Sequence, residues 1–144
     1  MANKRIMVSI PGEPYALKRH RTRVVGKFAS QYDPQENVNW KAYAAGCMLD
    51  AMGSDKPIDG PVRLAVYAKF SMPKSRWRKR NPRPMEWHTK RPDLDNIIKA
   101  VKDAAKGVLW LDDSQVCSLD AMKLTQQQGD RPGLTIIVEE VAAL

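Results

Sequence analysis

The sequence predicts a single α+β domain, a mixed and mostly antiparallel sheet packed against two helices. Three observations predict it. Segments with apolar residues at every second position alternate with segments at helical spacing, in the order β, α, β, α, β, β. Only a short turn separates the last two strands, which argues against a fully parallel winding. The 144 residues suit one core and leave no room for two full domains, so residues 1–144 are read as one unit.

In chain order, Lys4 to Ile10 alternates around Ile6, Val8 and Ile10 and stops at Pro11-Gly12, a strand running into a turn. Val24 to Phe28, centred on Gly26, reads as a short hairpin. Pro34 precedes a helix from Glu36 to Met52, with Val38, Ala42, Ala45 and Leu49 as its apolar stripe. Trp40, Tyr43, Cys47 and Met48 widen that stripe, and Gly53 suits the cap. Trp40 and Tyr43 read as core or dimer packing rather than base stacking. Pro61 opens a strand from Val62 to Phe70. A second helix, Asp93 to Lys106, gathers Leu94, Ile97, Ile98, Val101, Ala104 and Ala105 on one face and ends at Gly107. Strands at Val116–Leu124 and Leu134–Val141 close the chain around a Gln126–Gly133 turn.

Composition narrows the function. Lys and Arg number 24 against 16 Asp and Glu, a formal charge of +8, and such a domain attracts polyanions, above all nucleic acid. Hydrophobic residues make up 43%, enough for a packed core. Cys47 and Cys117 form neither a disulfide framework nor a zinc signature, and both read as buried free thiols of a reducing cytoplasm. The opening apolar run is too short for a secretory signal, and no stretch approaches the roughly 20 apolar residues of a membrane span. The expected setting is therefore soluble and cytoplasmic.

Two stretches concentrate positive charge. Lys18, Arg19, Arg21 and Arg23 stand in the loop after the first strand, with His20 among them. From Lys74 to Arg91, Arg76, Arg78, Lys79 and Arg80 are the densest part of a basic run opposed only by Glu86. Trp77, Trp87 and His88 are interleaved there, and Pro73, Pro82, Pro84 and Pro92 prevent a regular helix. Basic side chains mixed with aromatics in a flexible loop can neutralise phosphates and stack on unpaired bases. A solubilising loop is the plainer alternative. His20 and His88 have no acidic partner nearby in sequence, which argues against either as a catalytic base.

The acidic residues point to chemistry. Asp93 follows Pro92 and should occupy the N-cap, with Asp95 in the first turn, where a helix favours negative charge. Asp93 in a capping conformation lets both carboxylates converge, and the stop at Gly107 would let Asp112 and Asp113 fold back beside them. Clustered carboxylates without histidine or thiolate suit a hard cation such as Mg²⁺ or Mn²⁺. Lys99, one turn past Asp95, could reach a phosphate or an attacking water. The spacing alone equally allows an N-cap at Asp93, an Asp95–Lys99 ion pair and a turn at Asp112-Asp113. An EF-hand loop does not fit, because its glycine and spaced acidic positions are missing after Asp95. Asp103 is expected to pair with Lys99 or Lys106.

The run Arg91-Pro92-Asp93-Leu94-Asp95-Asn96-Ile97-Ile98-Lys99-Ala100, with Asp103-Ala104 and Trp110-Leu111-Asp112-Asp113-Ser114-Gln115-Val116, closely resembles the signature of the RusA family of Holliday-junction resolvases. The likeness is continuous from Arg91 to Val116. It is looser at the opening strand, at the basic loop (often Lys-Gly-Arg-Pro-Arg in the family, here Lys18 to Arg23) and at the first helix. The insertion from Pro73 to Lys90 has no position-by-position counterpart. The resemblance implies a homodimeric, Mg²⁺-dependent nuclease, often phage- or prophage-encoded, that cuts four-way DNA junctions with paired symmetric nicks during recombination and repair. It implies that Asp93, Asp95 and Asp113 bind metal, that Lys99 is the essential lysine and that Asp112 is auxiliary. A two-fold dimer would match the approximate two-fold symmetry of a four-way junction. The rival expectations are a non-catalytic basic DNA-binding module and a nuclease that prefers forks or flaps.

Overall fold

The computed structural model describes residues 4–144; residues 1–3, at the start of the segment read as lacking a secretory signal, lie outside them. Seven strands and two helices follow in the order β1 (Arg5–Pro11), β2 (Arg21–Val25), β3 (Phe28–Tyr32), α1 (Gln35–Met52), β4 (Val62–Phe70), β5 (Glu86–Trp87), α2 (Leu94–Ala105), β6 (Val116–Thr125) and β7 (Gly133–Glu140). β2 and β3 form a two-stranded ribbon, the expected hairpin. The other five strands make one mixed sheet, ordered β1-β7-β4-β6-β5.

β4 is the spine of this sheet. Val62, Leu64, Val66 and Ala68 are fully buried on one face, while Arg63 is exposed on the other. β4 and β6 run parallel, joined through α2, because parallel neighbours need a long crossover. The remaining pairs are antiparallel. The short turn between the last two strands does not make a hairpin. β6 and β7 flank β4 instead, and residues 126–132 pass over its end, where the Gln126 N–H donates to the Phe70 carbonyl at 2.7 Å.

Both helices lie on one face, α1 against β1 and α2 against β6, and they pack on each other. Ile6, Val8 and Ile10 of β1, Leu134, Ile136 and Val138 of β7, and Ile97, Val101, Ala104 and Ala105 of α2 join one continuous core. Each valine, leucine or isoleucine among them contributes on the order of 1.5–3 kcal/mol by leaving water, and each alanine less. No helix among the described residues is long and apolar enough to cross a membrane.

Three sequence expectations are corrected. On α1 the buried residues are Asn37, Ala44, Met48 and Met52. Val38, at 44% exposure, and Leu49, at 56%, face outward, so the assumed stripe is the outer face of the helix. Of the side counted as widening, Trp40, Cys47 and Met48 supply core contacts, with Trp40 stacked on Tyr15 at 5.5 Å between centroids, while Tyr43 stays exposed and its hydroxyl donates to Pro11 O. Cys47 is half-buried and Cys117 is exposed rather than buried. Cys117 is the extra residue at a register shift, where Val62 pairs with Val116 but Arg63 with Ser118, so it has no facing partner. Finally, the Lys74–Arg91 run is an ordered lobe, not a flexible loop. The Gln128 amide accepts from the N–H groups of Arg78 and Arg83 and donates to the Arg78 carbonyl. The Trp77 indole donates to Met72 O, and the Arg83 guanidinium to Arg76 O.

Candidate functional site

The N-terminus of α2 and the loop after β1 face each other across an open groove. Asp93 sits at the N-cap in extended backbone (φ −71°, ψ 143°), yet its carboxylate makes no capping hydrogen bond. Asp95 follows in the first turn and Lys99 one turn later. Asp93, Asp95, Asn96 and Lys99 line the groove, of ≈ 480 Å³, opposite Leu17, Lys18, Arg19 and His20. Among the described residues, no ion pair involves Asp93, Asp95 or Lys99. The purely structural alternative, a capping Asp93 and an Asp95–Lys99 pair, is therefore not what the fold does with these side chains. Two uncommitted carboxylates stand at the positive end of a helix, with a lysine beside them and a basic wall opposite.

The basic wall is held by a buried polar hub. Asn37, 1% exposed, accepts at Oδ1 from the Tyr15 hydroxyl (2.6 Å) and the Lys18 N–H (3.0 Å). Its amide donates to Lys18 O and Asp33 Oδ1, both at 2.8 Å. Leu17 N–H donates to Asn96 O at 3.3 Å, which ties the loop to the first turn of α2. Asp33 is also bonded to Lys41, and Lys41 with Asn37 holds its carboxyl below the usual range. His20 Nε2 lies 3.6 Å from Asp33 Oδ1, an acidic partner that sequence distance had concealed. On the other side, Lys123 donates to Lys90 O (2.6 Å) and Pro92 O (2.7 Å), fixing the segment just before Asp93.

The second acidic pair is built differently. The Trp110 indole, fully buried, donates to Asp113 Oδ1 at 2.9 Å. Asp112 caps a 3-10 turn at Asp113–Gln115, accepting from Ser114, while the Gln115 amide oxygen accepts the Asp112 N–H. Gln115 also donates to Ile58 O and Gly60 O. Asp112 pairs with Lys106 at 3.4 Å, and Asp103, expected to take that lysine, has no ion pair among the described residues. Gly107, at φ +80°, makes the turn into this segment, and its N–H donates to Trp110 O. Sequence reading noted neither Trp110 nor Asn37 nor Lys123 as a positioning residue. Only the run of Trp110 to Gln115 carried a hint of one.

The expected three-carboxylate cluster does not form within one chain. Among the described residues, no three His, Cys, Asp or Glu side chains gather to hold one ion. Asp113 gives one oxygen, Oδ1, to the indole and does not line the Asp93–Asp95 groove. The pair itself, all oxygen and unengaged, fits a hard divalent cation that keeps several waters and binds through one or two carboxylates plus phosphate.

The expected footprint residues divide into three places. Lys18 and Arg19 line the groove itself, although Lys18 is also 3.8 Å from Glu36. Arg21 and Arg23 project from one side of the β2–β3 ribbon, Arg23 lying 5.4 Å from the Tyr32 ring centroid. Arg76 is ion-paired with Glu86 in the lobe, and Arg78, Lys79 and Arg80 are exposed on it.

Comparison with known families places the chain as a whole. Residues 11–139 match the family described as Endodeoxyribonuclease RusA. The chain belongs to the RusA family of endodeoxyribonucleases. It is 29% identical over 143 residues to the uncharacterized protein YqaN of Bacillus subtilis (strain 168), covering 96% of this chain and 98% of that one. It is 34% identical over 70 residues to the crossover junction endodeoxyribonuclease rusA of Lactococcus phage r1t, covering 47% of this chain and 48% of that one. Free carboxylates beside a lysine under a basic wall have the chemistry to hold a divalent ion against a phosphodiester.

Proposed function

We propose that this endodeoxyribonuclease is structure-selective, resolving four-way DNA junctions by paired symmetric nicks as an Mg²⁺-dependent homodimer, in recombination and repair. The observation that carries the reading is the pairing of unengaged Asp93 and Asp95 with Lys99 beneath Lys18 and Arg19. The name of the phage relative supports the junction as substrate.

Asp93 and Asp95 would hold the divalent ion, and we assign Asp113 to it through Oδ2, the oxygen its indole partner leaves free. Such an ion, when bound, activates water and neutralises charge on the phosphate. Lys99 orients the scissile phosphate and offsets its charge. Lys18 and Arg19 grip the same strand, while Arg21, Arg23, Arg78, Lys79 and Arg80 contact phosphates farther out, and their loss should flatten the salt dependence of binding; Arg76 is held by Glu86 instead. The outward stripe of Val38, Ala42, Ala45 and Leu49 on α1 supports a contact with a second copy. Leu49→Lys should then halve the mass measured by light scattering.

The deciding experiment incubates labelled four-way, forked and linear DNA with the protein, with and without Mg²⁺, and reads the products on a denaturing gel. Paired nicks in the junction alone, lost with chelator and restored by Mg²⁺ or Mn²⁺, are expected. Faster cutting of forks or flaps would overturn junction selectivity.

A further inference from the structure

A second cavity, of ≈ 300 Å³, lies between the ordered lobe and the ends of β4 and β6. Its walls include Glu13, Ser71, Trp87, His88, Lys90 and Thr125. The His88 ring stacks on Phe70 at 4.0 Å between centroids, which makes one wall flat and aromatic. His88 Nδ1 is buried without a hydrogen-bond partner, unlike any other buried side-chain nitrogen or oxygen among the described residues. A buried unpaired nitrogen costs about 1–3 kcal/mol, a cost that a polar ligand bonded to it would relieve. Beside it, Trp87 leaves 69% of its surface in water.

The ligand class follows from these groups. The cavity is not built for phosphate: Arg76 is neutralised by Glu86, and Glu13, bonded to Ser71, adds a second carboxylate. Burial, then Lys123 and Lys90 nearby, push the His88 pKa down against Glu13 and a backbone hydrogen bond, which favours the neutral ring. A neutral imidazole, hydroxyls and an exposed indole suit a flat, uncharged ring with a polar edge. The location is equally specific. Lys90, on the cavity wall, is three residues before Asp93, at most about 10 Å of chain. A groove lined by Lys18, Arg19, Arg91 and Asp93 shares residues with the carboxylate groove, and its Arg91 follows Lys90 of the cavity wall. Two chain segments, 13–20 and 88–99, thus contribute walls to the cavity and to both grooves.

We propose that this cavity receives the base of an unstacked nucleotide, one or two positions from the phosphate held at Asp93 and Asp95, with Trp87 stacking on it and His88 bonding its edge. The inference rests on the nuclease reading and deepens it. Intact duplex keeps its bases stacked, whereas a branch point releases one at little cost. Selection of branched DNA then arises because only an unstackable base fills the cavity while its neighbour's phosphate reaches the carboxylates.

The test uses the full chain carrying Asp95→Asn, which is expected to hold DNA without cutting it. Junctions with a single abasic position are titrated by anisotropy, stepping through three positions either side of the cut. One abasic position should weaken binding about tenfold in this protein and leave binding unchanged when Trp87→Ala is added. In parallel, 5-iodouracil at that position should photocrosslink to Trp87 or His88, mapped by mass spectrometry. Equal abasic penalties with and without Trp87, or crosslinks confined to other residues, would overturn the inference. Neither readout depends on cleavage, so loss of junction cutting in the parent would count against the nuclease reading alone. Trp87 is solvent-exposed, and an unchanged melting temperature would show that Trp87→Ala folds.

Discussion

The two acidic pairs of this chain have the same chemistry and opposite fates. Asp93 and Asp95 sit at a helix entrance with neither a cap bond nor an ion pair, in a groove with Lys99. Asp112 and Asp113 are engaged by Ser114, Gln115, Lys106 and the Trp110 indole. A helix N-terminus normally rewards a capping carboxylate with about 0.5–2 kcal/mol, and Asp93 forgoes that bond. The fold leaves the first pair unclaimed and spends the second on holding the segment in shape, the Oδ2 of Asp113 excepted. What a carboxylate does is set by what its neighbours leave unclaimed, not by its spacing in the chain.

The largest expected effect breaks the first pair. Asp95→Asn keeps size and removes charge, so cleavage should fall by about 10³-fold or more, the several kcal/mol that an ion supplies at the phosphate. Junction binding should stay level or tighten, because less negative charge faces the DNA. Single-turnover cleavage and anisotropy on the same preparation separate the two; a parent-like rate would remove Asp95 from the site. Lys99→Ala should lower the rate by a comparable order but weaken binding as well, since it removes an attraction.

A smaller effect sharpens the contrast from the other side. Trp110→Phe leaves the core ring in place but deletes the donor to Asp113 Oδ1. An unpaired carboxylate oxygen at that point should cost about 1–3 kcal/mol in denaturant unfolding. If Asp113 serves the ion through its other oxygen, cleavage should drop by roughly 10–100-fold, as for other groups that orient a ligand. Loss of stability with an unchanged rate would confine Asp113 to the scaffold.

The part of this arrangement that was legible in sequence was local. α2 could be read because its apolar face repeats at helical spacing from Leu94 to Ala105 and Gly107 marks its end. The neighbours of each aspartate were not legible. Trp110 and Asp113 are three apart and fell within one run, but only the tertiary fold turns the indole toward the carboxylate. Asn37 braces Lys18 across 19 residues, and Lys123 holds Pro92 across 31, separations at which composition carries no signal. α1 misled because its small and aromatic residues leave apolar side chains on two faces, and packing on β1, not periodicity, chose between them. The lobe looked flexible because its prolines exclude regular structure, yet a single side chain, Gln128, supplies the hydrogen bonds that a helix would have.

The smallest effect belongs to Asp112. The Ser114 hydroxyl, then the Ser114 N–H and Lys106, hold its carboxyl below the ordinary value of 3.8. A carboxyl with a lowered folded pKa stabilises the fold above the unfolded value, and that contribution is lost as pH falls through the folded one. Asn at this position still accepts from Ser114 and loses only the charge toward Lys106. Asp112→Asn should therefore lower the melting temperature by no more than a few degrees at pH 7, and the difference should close as the solution is acidified below pH 3.8. Added salt should close it too, since the ion pair is exposed. The same Asp-to-Asn exchange should stop the reaction at Asp95 and leave junction cutting within about twofold of the parent at Asp112, a margin under 0.5 kcal/mol. A large loss at Asp112 instead would mean that the second pair is not scaffold, and the contrast between the two would fail.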